Sequence, residues 1–89
     1  MSMAKGDPDE LERFAASLNS FLETVNDATN SLNNSFGALG DTWQDEKRAQ
    51  FEEEYNALIK QLTVFNENAS EHIPYLRTLA SRLRDYLQS

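Results

Sequence analysis

The centre of the chain is the feature that most limits how it can fold. Between Gly37 and Asp45 it reads GALGDTWQD, and the long segments on either side contain no glycine. Glycine often follows the last turn of a helix, and Asp41 or Thr42 can cap the start of the next one. The sequence therefore predicts a helix over about residues 8–36, a turn over about 37–44 and a helix over about 45–87.

The first segment has the spacing of an amphipathic helix. Asp7 followed by Pro8 is a typical helix start, because aspartate caps the first turn and proline suits its first position. Apolar residues then recur at steps of three and four, which predicts a narrow stripe packed along another helix. The stripe consists of Leu11, Phe14, Leu18, Phe21, Val25, Ala28, Leu32 and Phe36.

The second segment carries a similar stripe, interrupted by one proline. Its apolar positions are Phe51, Tyr55, Leu58, Leu62, Phe65, Ala69, Ile73, Leu76, Ala80, Leu83 and Leu87. Proline inside a helix removes a hydrogen bond and collides with the preceding turn, so Pro74 predicts a kink near His72 and Ile73. A complete break into two shorter helices is the alternative.

Together the segments predict an all-α fold, an antiparallel two-helix hairpin that forms one domain over residues 1–89. Further apolar residues lie off the stripes and indicate a second contact: Leu22, Ile59, Val64, Leu79 and Tyr86. A dimer that forms a four-helix bundle would cover them. The residues expected in the seam of the hairpin or of the dimer are Leu18, Phe21, Val25, Phe51, Leu58, Leu62 and Phe65.

Composition argues against several classes of function. The net charge of -7 disfavours nucleic acids and anionic membranes. No stretch has the roughly 20 apolar residues of a membrane span, and residues 1–7 lack the apolar core of a signal peptide. With no cysteine and only His72 as histidine, we expect no catalytic site, no metal and no cofactor.

Trp43 is the most informative single residue, and two roles are open to it. It can cover the end of the hairpin at the turn. It can also contact a partner, because tryptophan is enriched at binding hot spots. Trp43, Gln44 and Asp45 are therefore the predicted turn and recognition motif.

This combination of short length, acidic balance, two long helices and a central tryptophan resembles the WXG100 or early-secreted-antigen family, which is associated with type VII secretion in bacteria. Phe51 and Tyr55 are similar to the aromatic or apolar positions that follow the family's tryptophan. The chain departs from the family at Asp45, where the family has glycine. It also lacks the C-terminal export signal of some members, an aromatic residue followed four places later by an acid, since Tyr75 is followed by Leu79.

The resemblance implies a non-enzymatic protein, either a secreted substrate or the dimeric partner of an effector. The expected partner is a related helical hairpin, in a homodimer or a heterodimer, with a secretion ATPase or a larger effector as a further partner. Such a protein is secreted without a cleaved signal peptide, or is cytoplasmic before export. The alternatives are a cytoplasmic targeting chaperone or adaptor for a larger toxin, and a generic coiled-coil subunit.

Overall fold

Two long helices lie antiparallel along each other in the computed structural model, which describes residues 6–88. Helix α1 spans Pro8–Leu39 and helix α2 spans Glu46–Gln88. They form a rod that measures 67 × 17 × 17 Å. The predicted all-α hairpin is confirmed. Residues 1–5 and 89 lie outside the described part. The prediction that residues 1–7 contain no signal peptide therefore concerns mostly residues that the structure does not describe.

Helix α1 begins as its sequence predicts. The Asp7 carboxylate accepts a hydrogen bond from the backbone N–H of Asp9 at 2.9 Å, and Pro8 occupies the first helical position. Asp9 and Glu10 place negative charge in the first turn, where the helix dipole favours it. These local contacts fix the point at which the chain enters the hairpin.

Helix α1 ends later than expected, because Gly37 does not stop it. The helix continues to Leu39, and the backbone N–H groups of Gly40 and Asp41 then donate to carbonyls three residues earlier, each at 3.1 Å. No glycine of residues 6–88 has a positive φ. A Cβ at Gly40 would lie 3.0 Å from the guanidinium of Arg48. Gly40 therefore provides space for an arginine rather than a left-handed backbone.

Helix α2 is capped by Asp45, and the prediction of Asp41 or Thr42 as the cap is wrong. The Asp45 carboxylate accepts a hydrogen bond from the N–H of Arg48 at 3.1 Å. Asp41 and Thr42 cannot take this role, because α2 begins at Glu46 and the capping residue directly precedes the first helical residue. The second helix therefore starts after the tryptophan.

Small side chains let the helices approach each other closely. Ala15, Leu22, Ala69 and Ile73 form a buried cluster, and Leu18 and Leu76 pack against it. Tyr55 and Ala80 are also buried, but no large side chain of the described residues is completely enclosed. The interior of the hairpin is therefore one thin layer.

The prediction that Leu22 lies off the hairpin seam is wrong, since Leu22 is only 5% exposed and Phe21 is 52% exposed. The sequence of α1 allows two apolar stripes, which share Leu11, Leu18 and Val25 and differ in the residues between them. The structure completes the interior stripe with Ala15 and Leu22 in place of Phe14 and Phe21. Two phenylalanines there would hold the helices further apart than the alanines allow.

Helix α2 is unbroken at Pro74. The alternative of two shorter helices is therefore wrong, and the kink stays a prediction. Ile73, directly before the proline, is buried against α1. Packing against the first helix thus continues on both sides of the proline, since Ala69 and Ala80 are buried as well.

Candidate functional site

One side of the hairpin exposes large apolar side chains along its whole length. On α2 they are spaced by multiples of seven residues, so that they share one side of the helix. Each is between 41% and 59% exposed. We call this surface the apolar face, and it consists of Phe14, Phe21, Leu32, Leu39, Phe51, Leu58, Phe65 and Tyr86.

The opposite side is lined by polar residues. Asn19 and Phe21 are two positions apart on α1 and therefore point to nearly opposite sides of the helix. A shallow groove of about 320 Å³ lies on this side between the helices. We call this surface the polar face, and it consists of Glu12, Asn19, Glu23, Asn26, Asn66, Ser70 and Arg84.

An apolar groove of about 450 Å³ opens on the apolar face close to the turn, where both helices contribute to it. The Phe36 and Tyr55 rings stack with their centroids 4.4 Å apart, and the Phe51 ring lies 6.0 Å from Phe36. These contacts hold the groove's aromatic walls in place. The groove is lined by Leu32, Ser35, Phe36, Leu39, Phe51, Tyr55 and Leu58.

Trp43 stands at the turn end of this groove. Its ring is partly buried and lies 6.1 Å from the Phe51 ring at a tilt of 38°. Its backbone N–H donates to the carbonyl of Leu39 at 2.9 Å. The tryptophan thus extends the apolar face across the turn.

The other two residues of the predicted recognition motif make local hydrogen bonds. The Gln44 side-chain amide donates to the Gly40 carbonyl at 2.9 Å, and Asp45 caps α2. The structure therefore brings Trp43, Gln44 and Asp45 together at one corner. Their role in recognition stays a prediction.

The predicted seam residues divide into two groups. Leu18, Val25 and Leu62 are partly buried between the helices. The other four belong to the apolar face and are between 44% and 52% exposed: Phe21, Phe51, Leu58 and Phe65. Within the single chain, these four lie beside the hairpin interior, and their place in a dimer seam stays a prediction.

The sequence did not predict two polar contacts made to aromatic residues that line the groove. The Arg48 guanidinium lies over the Phe36 ring at 4.9 Å and pairs with Glu52 at 3.4 Å. The Tyr55 hydroxyl donates to the side-chain oxygen of Asn33. The four-residue spacing of Arg48 and Glu52 is a recognisable signal for an ion pair. Nothing in the sequence indicates the tyrosine contact, because it depends on how the helices align.

Ion pairs on the polar face join the two helices at the end of the hairpin opposite the turn. Arg84 donates to Asp9 at 2.6 Å and also to Glu12. The Arg84 guanidinium holds the pKa of the Asp9 carboxyl below its usual value, first through the hydrogen bond and then through charge attraction. The same two carboxylates raise the pKa of Arg84. These contacts connect the first turns of α1 to the last turns of α2.

The arrangement is suited to binding a protein surface through apolar contact. Within residues 6–88, no three acidic or histidine side chains are grouped as metal ligands would be. In that same range, neither helix has a stretch long and apolar enough to cross a membrane. The prominent feature is the row of half-exposed apolar side chains.

One comparison with known proteins gives a match. The family described as proteins of 100 residues with WXG matches residues 4–86, which is nearly the whole chain. No curated protein and no solved structure matches the chain. Trp43 lies at the turn between the two matched helices.

Proposed function

Since the chain belongs to the WXG100 family, whose members are small helical proteins secreted through type VII systems, we propose that it is a non-enzymatic component of a type VII-like secretion system. It acts as a secreted substrate or as the dimeric partner of a larger effector. Its partner on the apolar face is a related helical hairpin. Export then needs no cleaved signal peptide.

The apolar face is the observation that carries this proposal. Phe14 and Phe21 on α1, and Phe51 and Phe65 on α2, are each about half exposed. Each exposed phenylalanine leaves apolar area in water that is worth roughly 25 cal/mol per Å² when buried. A second hairpin laid on this face would bury the row and complete a four-helix bundle.

The two faces differ in a way that supports one partner on one side. Asn19, Asn26 and Ser70 on the polar face lose little by remaining in water. A partner there would have to satisfy each amide and hydroxyl. We therefore propose that the polar face stays in contact with solvent when the partner is bound.

The turn corner is the proposed contact for a secretion ATPase or an effector. Trp43 is partly buried, so it offers one apolar edge while its other side packs near Phe51. Partly packed tryptophans make good binding anchors, because little side-chain entropy remains to be lost. The Trp43→Ala variant should weaken this contact and keep its helical circular dichroism.

Secretion by a reconstituted system tests the proposal. The tagged chain is produced together with a type VII system, with an active or an inactivated secretion ATPase, and the culture supernatant is compared with the cells. We expect the chain in the supernatant only with the active ATPase. Trp43→Ala should reduce its amount, whereas Ser70→Asp on the polar face should not.

Two other outcomes would contradict the proposal. Equal release with both ATPases would mean leakage and no type VII export. Retention in the cells while a co-expressed effector still depends on the chain for export would favour the alternative of a cytoplasmic chaperone.

A further inference from the structure

Arg48 reaches from the start of the second helix to the end of the first. Its backbone N–H donates to the capping carboxylate of Asp45, while its guanidinium lies over the Phe36 ring of α1 at 4.9 Å. The side chain is mostly buried, with 23% of its surface exposed. Arg48 thus connects the two helices across the turn.

Gly40 leaves the space that this guanidinium occupies. Gly40 has a φ of -61° and a ψ of -20°, a conformation that alanine adopts without strain. A Cβ at this position would lie 3.0 Å from Nη2 of Arg48 and 3.2 Å from the carbonyl oxygen of Gly37. A Cβ at Gly37 would meet no described atom within 4 Å outside its own helix backbone. The missing side chain therefore matters at Gly40 because of the arginine.

Hydrogen bonding alone does not explain where the guanidinium lies. Nη1 of Arg48 pairs with Glu52 at 3.4 Å, which is long for a charged hydrogen bond. Nε is buried and has no hydrogen-bond partner within residues 6–88, although buried N–H groups are normally paired. The remaining contact is the face of the Phe36 ring, which attracts a cation. The arginine is therefore placed for the ring more than for the carboxylate.

The ring under the guanidinium begins a series of contacts that ends at the tryptophan. Phe36 stacks on Tyr55 with 4.4 Å between the ring centroids and lies 6.0 Å from Phe51. The Phe51 ring in turn lies 6.1 Å from the Trp43 ring. These separations are in the range at which aromatic rings attract each other. A shift of Phe36 would therefore change the surface against which Trp43 packs.

The backbone of Gly40 also contacts the residue beside the tryptophan. Its carbonyl accepts a hydrogen bond from the Gln44 side-chain amide at 2.9 Å. The N–H of Trp43 donates to the carbonyl of Leu39, next to Gly40, at 2.9 Å. The guanidinium and the turn corner are therefore held by the same short segment of chain.

We infer that Arg48, seated in the space left by Gly40, is a positioning residue for the turn corner. It holds the Phe36 ring against Phe51 and so fixes how Trp43 is presented to a partner. The inference rests on the proposed function, in that the turn corner is the surface proposed to contact a secretion ATPase or an effector.

The fluorescence of Trp43 tests this role, because the chain contains no other tryptophan. Arg48→Met keeps a long side chain and removes the guanidinium. It should increase the quenching of Trp43 by acrylamide about twofold, because a less tightly packed corner opens more often to solvent. It should also reduce secretion in the reconstituted system several-fold, with unchanged helical circular dichroism.

Arg48→Lys tests whether the cation itself is needed. An ammonium group is also attracted to the face of the Phe36 ring, but it has no planar guanidinium to stack there. Quenching and secretion should therefore lie between those of the unmodified chain and those of Arg48→Met. Equal behaviour of Arg48→Lys and Arg48→Met would overturn the contact between cation and ring as the cause.

The two glycines of the turn provide a matched pair of substitutions. Gly40→Ala places a methyl group where the guanidinium lies, and the flexible end of Arg48 then moves away while the helices stay formed. We expect the same rise in Trp43 quenching as in Arg48→Met. Gly37→Ala adds its methyl group in open space and should leave the quenching unchanged, while stability rises because alanine favours a helix over glycine.

The double variant Gly40→Ala with Arg48→Met shows whether the two residues act together. If Gly40 acts by making room for the arginine, the double variant should be quenched no more than Arg48→Met alone, because contacting residues have non-additive effects. Additive increases would overturn the link between Gly40 and Arg48. So would equal quenching in Gly40→Ala and Gly37→Ala.

The failure of this inference can be told apart from failure of the proposed function. Unchanged quenching and secretion in Arg48→Met, with secretion lost in Trp43→Ala, would overturn the positioning role and keep the proposed contact. Increased quenching with full secretion in both variants would confirm that Arg48 positions Trp43 and overturn the contact proposed for the corner. If Arg48→Met lost its helical circular dichroism, Gly40→Ala would decide, and unchanged quenching there would overturn the inference.

Discussion

The two faces of the hairpin are built from the same two helices and differ in what they leave in water. On the apolar face, Phe21 and Phe65 are 52% and 47% exposed. On the polar face, Asn26 and Ser70 occupy positions at similar levels of the rod. Both faces flank the same thin interior. They therefore differ only in the contact that each can make with another molecule.

This difference shows how a small acidic chain can be well folded and still incomplete. A chain of 89 residues buries only about 60% of the surface of its unfolded form, and here the buried cluster contains two alanines, Ala15 and Ala69. The interior is therefore a modest source of stability. The apolar face holds the larger side chains, so a partner would bury apolar surface that the hairpin by itself leaves in water.

The largest effect is expected from a charge in the centre of the apolar face. Phe65→Asp would place a carboxylate in the proposed contact with a partner hairpin, where an unpaired charge costs several kcal/mol. Pairing with that hairpin should weaken by at least about 3 kcal/mol, roughly a hundredfold. Sedimentation equilibrium over a range of concentrations measures it.

The matched control for this change is Ser70→Asp, which adds the same charge on the polar face. It should leave pairing with the partner hairpin within about twofold, because an exposed charge is solvated by water. If both variants weakened the dimer equally, the two faces would not differ in the way that the structure indicates.

The next effect compares neighbouring residues on α1. Leu22 is buried and Phe21 is half exposed. Leu22→Ala should destabilise the hairpin by about 2–3 kcal/mol, near the lower end for a buried leucine because the interior is thin. Phe21→Ala should cost less than about 1 kcal/mol in the dissociated chain. Urea unfolding at low protein concentration measures both, and the opposite order would mean that the interior stripe contains Phe21.

The hairpin itself could be predicted from the sequence. Apolar residues that recur at steps of three and four on both sides of one turn are compatible with few other folds. The choice between the stripes with Phe21 and with Leu22 could not. Both have helical spacing, and the decision depends on how closely α2 approaches, which alanines on the other helix determine. The contact between Asn33 and Tyr55 depends on the same alignment.

The turn shows a second limit of sequence reasoning. Asp41, Thr42 and Asp45 are all good capping residues, and spacing alone does not rank them. The choice is made by Trp43, whose N–H still bonds to Leu39 at 2.9 Å and keeps the chain turning. The next suitable residue is Asp45. A glycine at that position, as in the family pattern, would also be accepted as a cap.

Removal of this cap should have a smaller effect that does not distinguish the faces. Asp45→Ala takes away the acceptor for the Arg48 N–H and should cost about 1 kcal/mol of stability. Asp45→Gly should cost only about a few tenths of a kcal/mol. Thermal unfolding followed by circular dichroism checks this ranking, and an equal loss in both variants would contradict the capping role.

The smallest effect is expected at the open end of the polar face, and it depends on pH. The pKa of Asp9 is lowered by Arg84, so the folded chain binds a proton there less readily than the unfolded chain. This contribution to stability is present above the ordinary aspartate pKa of about 4 and is lost as the pH decreases through the lower folded value. The change is small, because Asp9 is exposed to solvent and Arg84 is partly exposed. Thermal unfolding between about pH 6 and pH 2, compared with Arg84→Gln, isolates it: the advantage of the unmodified chain should shrink in acid. An advantage that stays constant would mean that Arg84 acts through packing, and the polar face would then resemble the apolar face at this end.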